Sequence, residues 1–194
     1  YASYCMLACG NEPSGRWVAW VSKFVDYWKA TDPRHVYTGA SVGGSWQWQP
    51  HNQYHVKAGA RGLSWAGSQP ESMSDYRAKI DSVKQPYVSH ETGQWCAFPN
   101  FSEIRKYTGV NKAKNFEIFQ DILNDNHMGS MGHDFMMASG KLQAICYKHE
   151  IEKTLRTPDY AGFQMLALND YSGQGTALVG LLDVCLLYTS DAAD

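Results

Sequence analysis

Two glutamates, Glu12 in CGNEPSG and Glu91 in VSHETGQW, carry the chemistry that this sequence offers. Each follows a short run of strand-like composition, residues 3–9 in one case and 87–90 in the other. Each is therefore expected to end a buried strand. If those strands are parallel, their C-terminal ends share one rim, which is where α/β sheets and barrels carry their sites. Two carboxylates on such a rim, three strands apart, can face each other across its mouth. That arrangement suits glycoside hydrolysis: one carboxylic acid protonates the leaving oxygen and one carboxylate attacks the anomeric carbon. A separation near ~5–5.5 Å gives retention of configuration, and a wider gap admits water and gives inversion. Asn-Glu-Pro alone would serve equally as a strand end, a turn and an acidic helix start. The pair of acids at two strand ends is what favours chemistry.

Other side chains are weighed against this pair. Trp46 and Trp48 lie in the Gly-, Trp- and Gln-rich loop after the second strand, on the same rim, as does Trp95 just past Glu91. Indoles there either stack on sugars or anchor the loop, and Trp46 is favoured as a contact. His90 precedes Glu91, and strand alternation sends it to the opposite face as a packing or supporting residue. His55 is a candidate lining residue. The HMGSMGHD stretch (His127, His133, Asp134) fits a loop and a helix cap as well as a metal site, and no metal is expected. His149-Glu150 lacks the second histidine of H-E-x-x-H, and no G-x-S-x-G is present. Gly173-Gln174-Gly175 has Leu178 where a dinucleotide fingerprint needs glycine, so it reads as a turn and no cofactor is expected.

The elements that must position these groups alternate between strand and helix. A helix from about Trp17 carries Trp17, Val21, Phe24, Val25 and Trp28 on one face. Ser14 could cap it, and Pro33 ends it. Strands are expected at 35–38, 54–56, 87–90 and 160–168, with helices at 75–83, 113–126 and 134–155. The reading is five parallel strands with helices outside, an α/β class without internal repeats.

Bulk properties agree. The 194 residues are 44% hydrophobic and 19% charged, which is globular rather than disordered. With 17 basic against 19 acidic side chains, no nucleic-acid or anionic-membrane partner is implied. No apolar run reaches the ~18–20 residues of a membrane span. Five cysteines, Cys5, Cys9, Cys96, Cys146 and Cys185, form no recognisable framework and read as unbridged thiols. Seven tryptophans and twelve tyrosines suffice both for packing and for stacking on flat ligands such as sugars.

With GNEPSG and HETGQW on the page, the chain resembles glycoside hydrolase family 2 of the clan A retaining glycosidases, the β-galactosidase, β-glucuronidase and β-mannosidase group. The resemblance implies a partial (β/α)8 TIM barrel, strands 4 to 8 with outer helices, over residues 1–184. It implies Glu12 as acid/base, Glu91 as nucleophile, Asn11 as hydrogen-bond partner of the sugar 2-hydroxyl, and Tyr54 beside the nucleophile. Where the family carries a tryptophan after strand 8, this chain reads LALNDYSGQG, so Asn169, Asp170 or Tyr171 would stand in. The implied parent is a retaining glycosidase acting on terminal β-linked sugars, with β-galactosides the first expectation and a periplasmic or extracellular location. Strands 1 to 3 are expected to be missing from the given chain, leaving it inactive alone and prone to aggregate. Residues 185–194, CLLYTSDAAD, resemble a translated sequencing adapter and are expected not to be native. A non-catalytic carbohydrate-binding barrel is the alternative, and a nucleotide-binding α/β domain a weaker one. Turnover requires Glu12 protonated and Glu91 ionised, with the charge of Glu91 helping Glu12 to keep its proton.

Overall fold

The computed structural model describes residues 1–44, 46–63, 69, 71–171, 178–183 and 185. The turn around Gly173-Gln174-Gly175 and the tail from 186 to 194 lie outside the described residues. The element order is β1 (Met6–Asn11), α1 (Trp17–Thr31), β2 (Val36–Val42), β3 (His55–Lys57), α2 (Arg77–Ile80), β4 (Tyr87–Thr92), α3 (Lys114–Asp125), α4 (Gly132–Arg156) and β5 (Tyr160–Met165). The five strands form one parallel sheet in the order β1-β2-β3-β4-β5. The α/β reading therefore holds at the level of a parallel sheet with helices. Among the described residues no helix is long and apolar enough to cross a membrane.

The chain divides into two compact units. The first is residues 1–92 with 150–164, and the second is 93–149 with 165–194. The division falls inside α4, at Glu150, and near the end of β5, after Gln164.

In the first unit, α1 buries Val21 and Val25 against β2, each worth about 1.5–3 kcal/mol. The helix begins at Trp17 with Arg16 at its N-cap position and no side-chain capping bond, so Ser14 does not cap it. Strand β2 runs to Val42, past the expected Thr38, because its small residues are buried rather than loop-like. Gly39 shows why they must be small: a Cβ there would lie 2.7 Å from Val21 Cγ2. One core cluster gathers Ala60, Tyr76, Ile80 and Tyr87, with Trp48, Val83 and Tyr160 packed on it. A second gathers Tyr54, Val56 and Val88.

In the second unit, Tyr107, Ala113, Phe116 and Leu178 form the core, with Phe101 and Ile104 against it. Phe98 makes edge-to-face contacts with Phe101, Phe119 and Phe135. The Tyr147 hydroxyl donates to Gly93 O at 2.6 Å and to Val179 O.

Candidate active site at the strand ends

Glu12 follows β1 directly, and its backbone N–H donates to Ser41 O at 2.9 Å. Glu91 lies near the end of β4. Both have left-handed backbones, with φ of 41° at Glu12 and 54° at Glu91. A non-glycine residue in that region is strained by about 1–3 kcal/mol and persists only where its surroundings enforce it. The two strained acids also come together: side-chain oxygens of Glu12 and Glu91 and a ring nitrogen of His90 all lie within 4.8 Å of one another.

Arg61 supplies the enforcement at Glu91. Its Nη1 donates to His90 O at 2.7 Å, to Glu91 O at 2.9 Å and, at 3.4 Å, to Glu91 Oε2. One cation thus straps two consecutive carbonyls and neutralises the carboxylate beside them. Arg61 comes from the irregular segment after β3, where Gly59 (φ 130°) and Gly62 (φ 76°) make turns that other residues resist. That segment is pinned in turn. Gly62 N–H donates to Glu150 Oε1 at 2.5 Å, and the Tyr76 hydroxyl donates to Gly62 O at 2.6 Å. The guanidinium stays one-quarter exposed, like the Glu91 side chain.

His90 departs from its expected place. The left-handed residue after it interrupts strand alternation, so its Nε2 lies 3.6 Å from Glu91 Oε1 instead of facing away. Its Nδ1 is 3.3 Å from Gln164 Oε1 on β5. Among the described residues, Glu12, His90 and Glu91 are the only trio of metal-capable side chains so gathered. Arg61 already supplies positive charge at Glu91. His127, His133 and Asp134 form no such cluster.

Gly43 separates Glu12 from an aromatic wall. A Cβ on it would sit 3.5 Å from Glu12 Oε1 and 3.6 Å from Trp46 Nε1. Trp46 stacks at a tilt on Trp17, with centroids 5.3 Å apart, and accepts a bond at its carbonyl from Lys57 Nζ. The half-buried pair Trp17 and Trp46 thus flanks Glu12, and only Trp46 was foreseen. Trp48 is instead a core residue, edge-on to His55 at 4.5 Å and to Tyr87 at 5.9 Å, with Lys57 over its face. Asn11 ends β1 opposite Ser41 and is exposed.

Two expected contacts are not brought to the carboxylates. Strand β3 begins at His55, paired with Tyr87, so His55 is its first residue and Tyr54 directly precedes it. The register sets Tyr54 level with Pro86, about 16 Å of strand from Glu91. Tyr54 is buried with Val56 and Val88, and burial pushes its phenol up to about 12. His55 Nε2 is 3.2 Å from Gln85 Oε1, and burial lowers its pKa. The YHV triplet marks a strand without marking which end of it a tyrosine occupies. Trp95 belongs to the second unit, where its carbonyl accepts from Gln143 Nε2 at 2.6 Å. Arg61, Lys57 and Gln164 were not legible as site residues. The only hint at Arg61 is its setting, AGARG, directly after a strand.

Compared with known proteins, the chain matches no family model and no curated protein.

Proposed function

We propose that the chain is part of the catalytic domain of a retaining glycosidase that cleaves terminal β-linked sugars, β-galactosides first, with β1 to β5 as strands 4 to 8 of a (β/α)8 barrel. The observation that carries this reading is the approach of Glu12 and Glu91 oxygens to within 4.8 Å. That is close to the ~5–5.5 Å carboxyl separation of double displacement and short of the ~6.5–9.5 Å of inverting enzymes. The sheet adds support, because β1 and β4 run parallel and both acids stand at their C-terminal ends.

In the first step an oxygen of Glu91 attacks the anomeric carbon while Glu12 gives its proton to the glycosidic oxygen, which departs as an alcohol. Arg61 holds its Nη1 3.4 Å from Glu91 Oε2 before attack. In the second step Glu12, now a carboxylate, takes a proton from water as that water displaces Glu91 from the sugar. Asn11 is placed to meet the sugar 2-hydroxyl, and the Trp17–Trp46 pair offers an apolar wall for the ring.

The test, on the full-length parent protein, is a panel of aryl β-glycosides, followed by trapping with a 2-deoxy-2-fluoro aryl glycoside and peptide mass mapping. Label on the peptide holding Glu91, and first-formed product of retained configuration by NMR, are expected. Label elsewhere, or inverted product, would overturn the assignment.

A further inference from the structure

His90 is a buried, unsatisfied group next to the reacting carboxylates, and the chemistry just described does not use it. Its side chain is 7% exposed. Nδ1 faces Gln164 Oε1 at 3.3 Å. Nε2 has no hydrogen-bond partner and stands 3.6 Å from Glu91 Oε1. A buried polar atom left without a partner costs about 1–3 kcal/mol, so the arrangement must be completed in some state of the site.

Tautomers decide which state. A neutral ring with its proton on Nδ1, given to Gln164, turns the Nε2 lone pair toward a carboxylate oxygen, and the two repel. An imidazolium places N–H on both sides, one toward Gln164 and one toward Glu91, and both find acceptors. A neutral ring with its proton on Nε2 completes the site as well, with Gln164 turned so that its NH2 donates to Nδ1, and in both complete forms the Nε2–H faces Glu91. The charged groups around the ring divide. Glu91 on β4 and Glu12 after β1 favour the cation, while the Arg61 guanidinium on the His90 carbonyl opposes it. From β5 the neutral Gln164 faces the ring.

We propose that His90, anchored by Gln164, is a positioning residue that carries a proton toward Glu91 and so fixes the nucleophile's orientation and charge. The role rests on reading Glu91 as the nucleophile. In the structure Nε2 stands 3.6 Å from Glu91 Oε1, beyond a hydrogen bond, and in the completed site the Nε2–H closes on that oxygen and donates to it. When Glu91 becomes an ester to the sugar its charge disappears, and the proton on His90 loses that partner. The pair therefore couples the protonation of His90 to the covalent state of Glu91.

The test reads His90 directly. Selective 13C labelling of histidine, with His90→Gln used to assign the resonance, gives its titration midpoint by NMR. In Glu91→Gln the midpoint should fall, because the opposite charge facing the ring has been removed. In Gln164→Leu the His90 resonance should broaden or move as its anchor goes. Turnover supplies a second readout. His90→Gln should lower kcat about tenfold or more and move the acid limb of the pH profile, with KM within about twofold, since it touches no substrate. An unchanged midpoint in Glu91→Gln overturns the coupling whatever turnover does. A shifted midpoint in a full-length parent protein that turns over no glycoside upholds the coupling and overturns the glycosidase reading instead. Should His90→Gln fail to fold, the Glu91→Gln titration still decides, because that variant keeps the histidine.

Discussion

In the unit that carries the sheet, Glu12 is exposed and the Glu91 side chain is 26% exposed, each at a strand end and close to the other. In the second unit, Glu103, Asp170 and Asp183 are at most 8% exposed. Burial, opposed by Lys106 and reinforced by the two aspartates, pushes Glu103 up to about 7. Burial likewise pushes Asp170 up to about 6, against a stabilising bond from Gly180 N–H. Asp183 is ion-paired with Lys106. A carboxyl poised near neutrality is a common mark of a catalytic acid. Yet the cavity beside Glu103 and Asp170 has a volume of about 20 Å³, enough for about one water and far too small for a sugar. The comparison separates two properties that are often taken together. Enclosure perturbs an acid's titration, whereas access and a facing partner let it react.

The sharpest way to break the contrast is to neutralise one acid in each group. Glu91→Gln should cut turnover of an aryl glycoside by on the order of 10⁴-fold, whereas Glu103→Gln should leave kcat within about twofold. Equal losses would erase the distinction. Next, Glu12→Gln should lower turnover by roughly 10²–10⁴-fold for a poor leaving group and much less for a dinitrophenolate, which departs without a proton. The same loss for both leaving groups would remove Glu12 from the acid's role.

The buried group should show itself in stability instead. Glu103 rises from 4.5 to about 7 on folding, so the folded state holds its proton more tightly. Its contribution is fully present below pH 4.5 and is lost as pH rises through about 7. Between those limits the free energy of unfolding should fall by on the order of 3 kcal/mol, and Glu103→Gln should flatten the slope in urea titrations. A slope that survives the substitution would point to other groups. The smallest effect is expected from Trp46→Ala, which should raise KM several-fold, about 1 kcal/mol, with kcat little changed.

What could be read beforehand was periodic. The apolar face of α1 and the β/α alternation follow from side-chain spacing, and the positions of Glu12 and Glu91 follow from where two strand-like runs stop. What escaped depended on segments without a period. Arg61 reaches Glu91 from an irregular turn whose path is set by Glu150 and Tyr76, both remote in sequence. His90 was assigned the wrong side because alternation presumes extended backbone, and the residue beside it is left-handed. Tyr54 was misplaced because a three-residue strand gives no sense of which end faces the chemistry. Lys57, 8% exposed, and Glu103, 3% exposed, contradict the usual preference of charged residues for the surface.

The Arg61 strap grips main-chain oxygens at His90 and Glu91 more closely than it grips the carboxylate. Its hold is therefore indifferent to which side chain occupies position 91. Trimming that acid to alanine should leave the polypeptide contour intact, with a cationic notch the size of the lost group. A small dissolved anion such as formate or azide has the shape and charge to enter such a notch and do the work the protein no longer does.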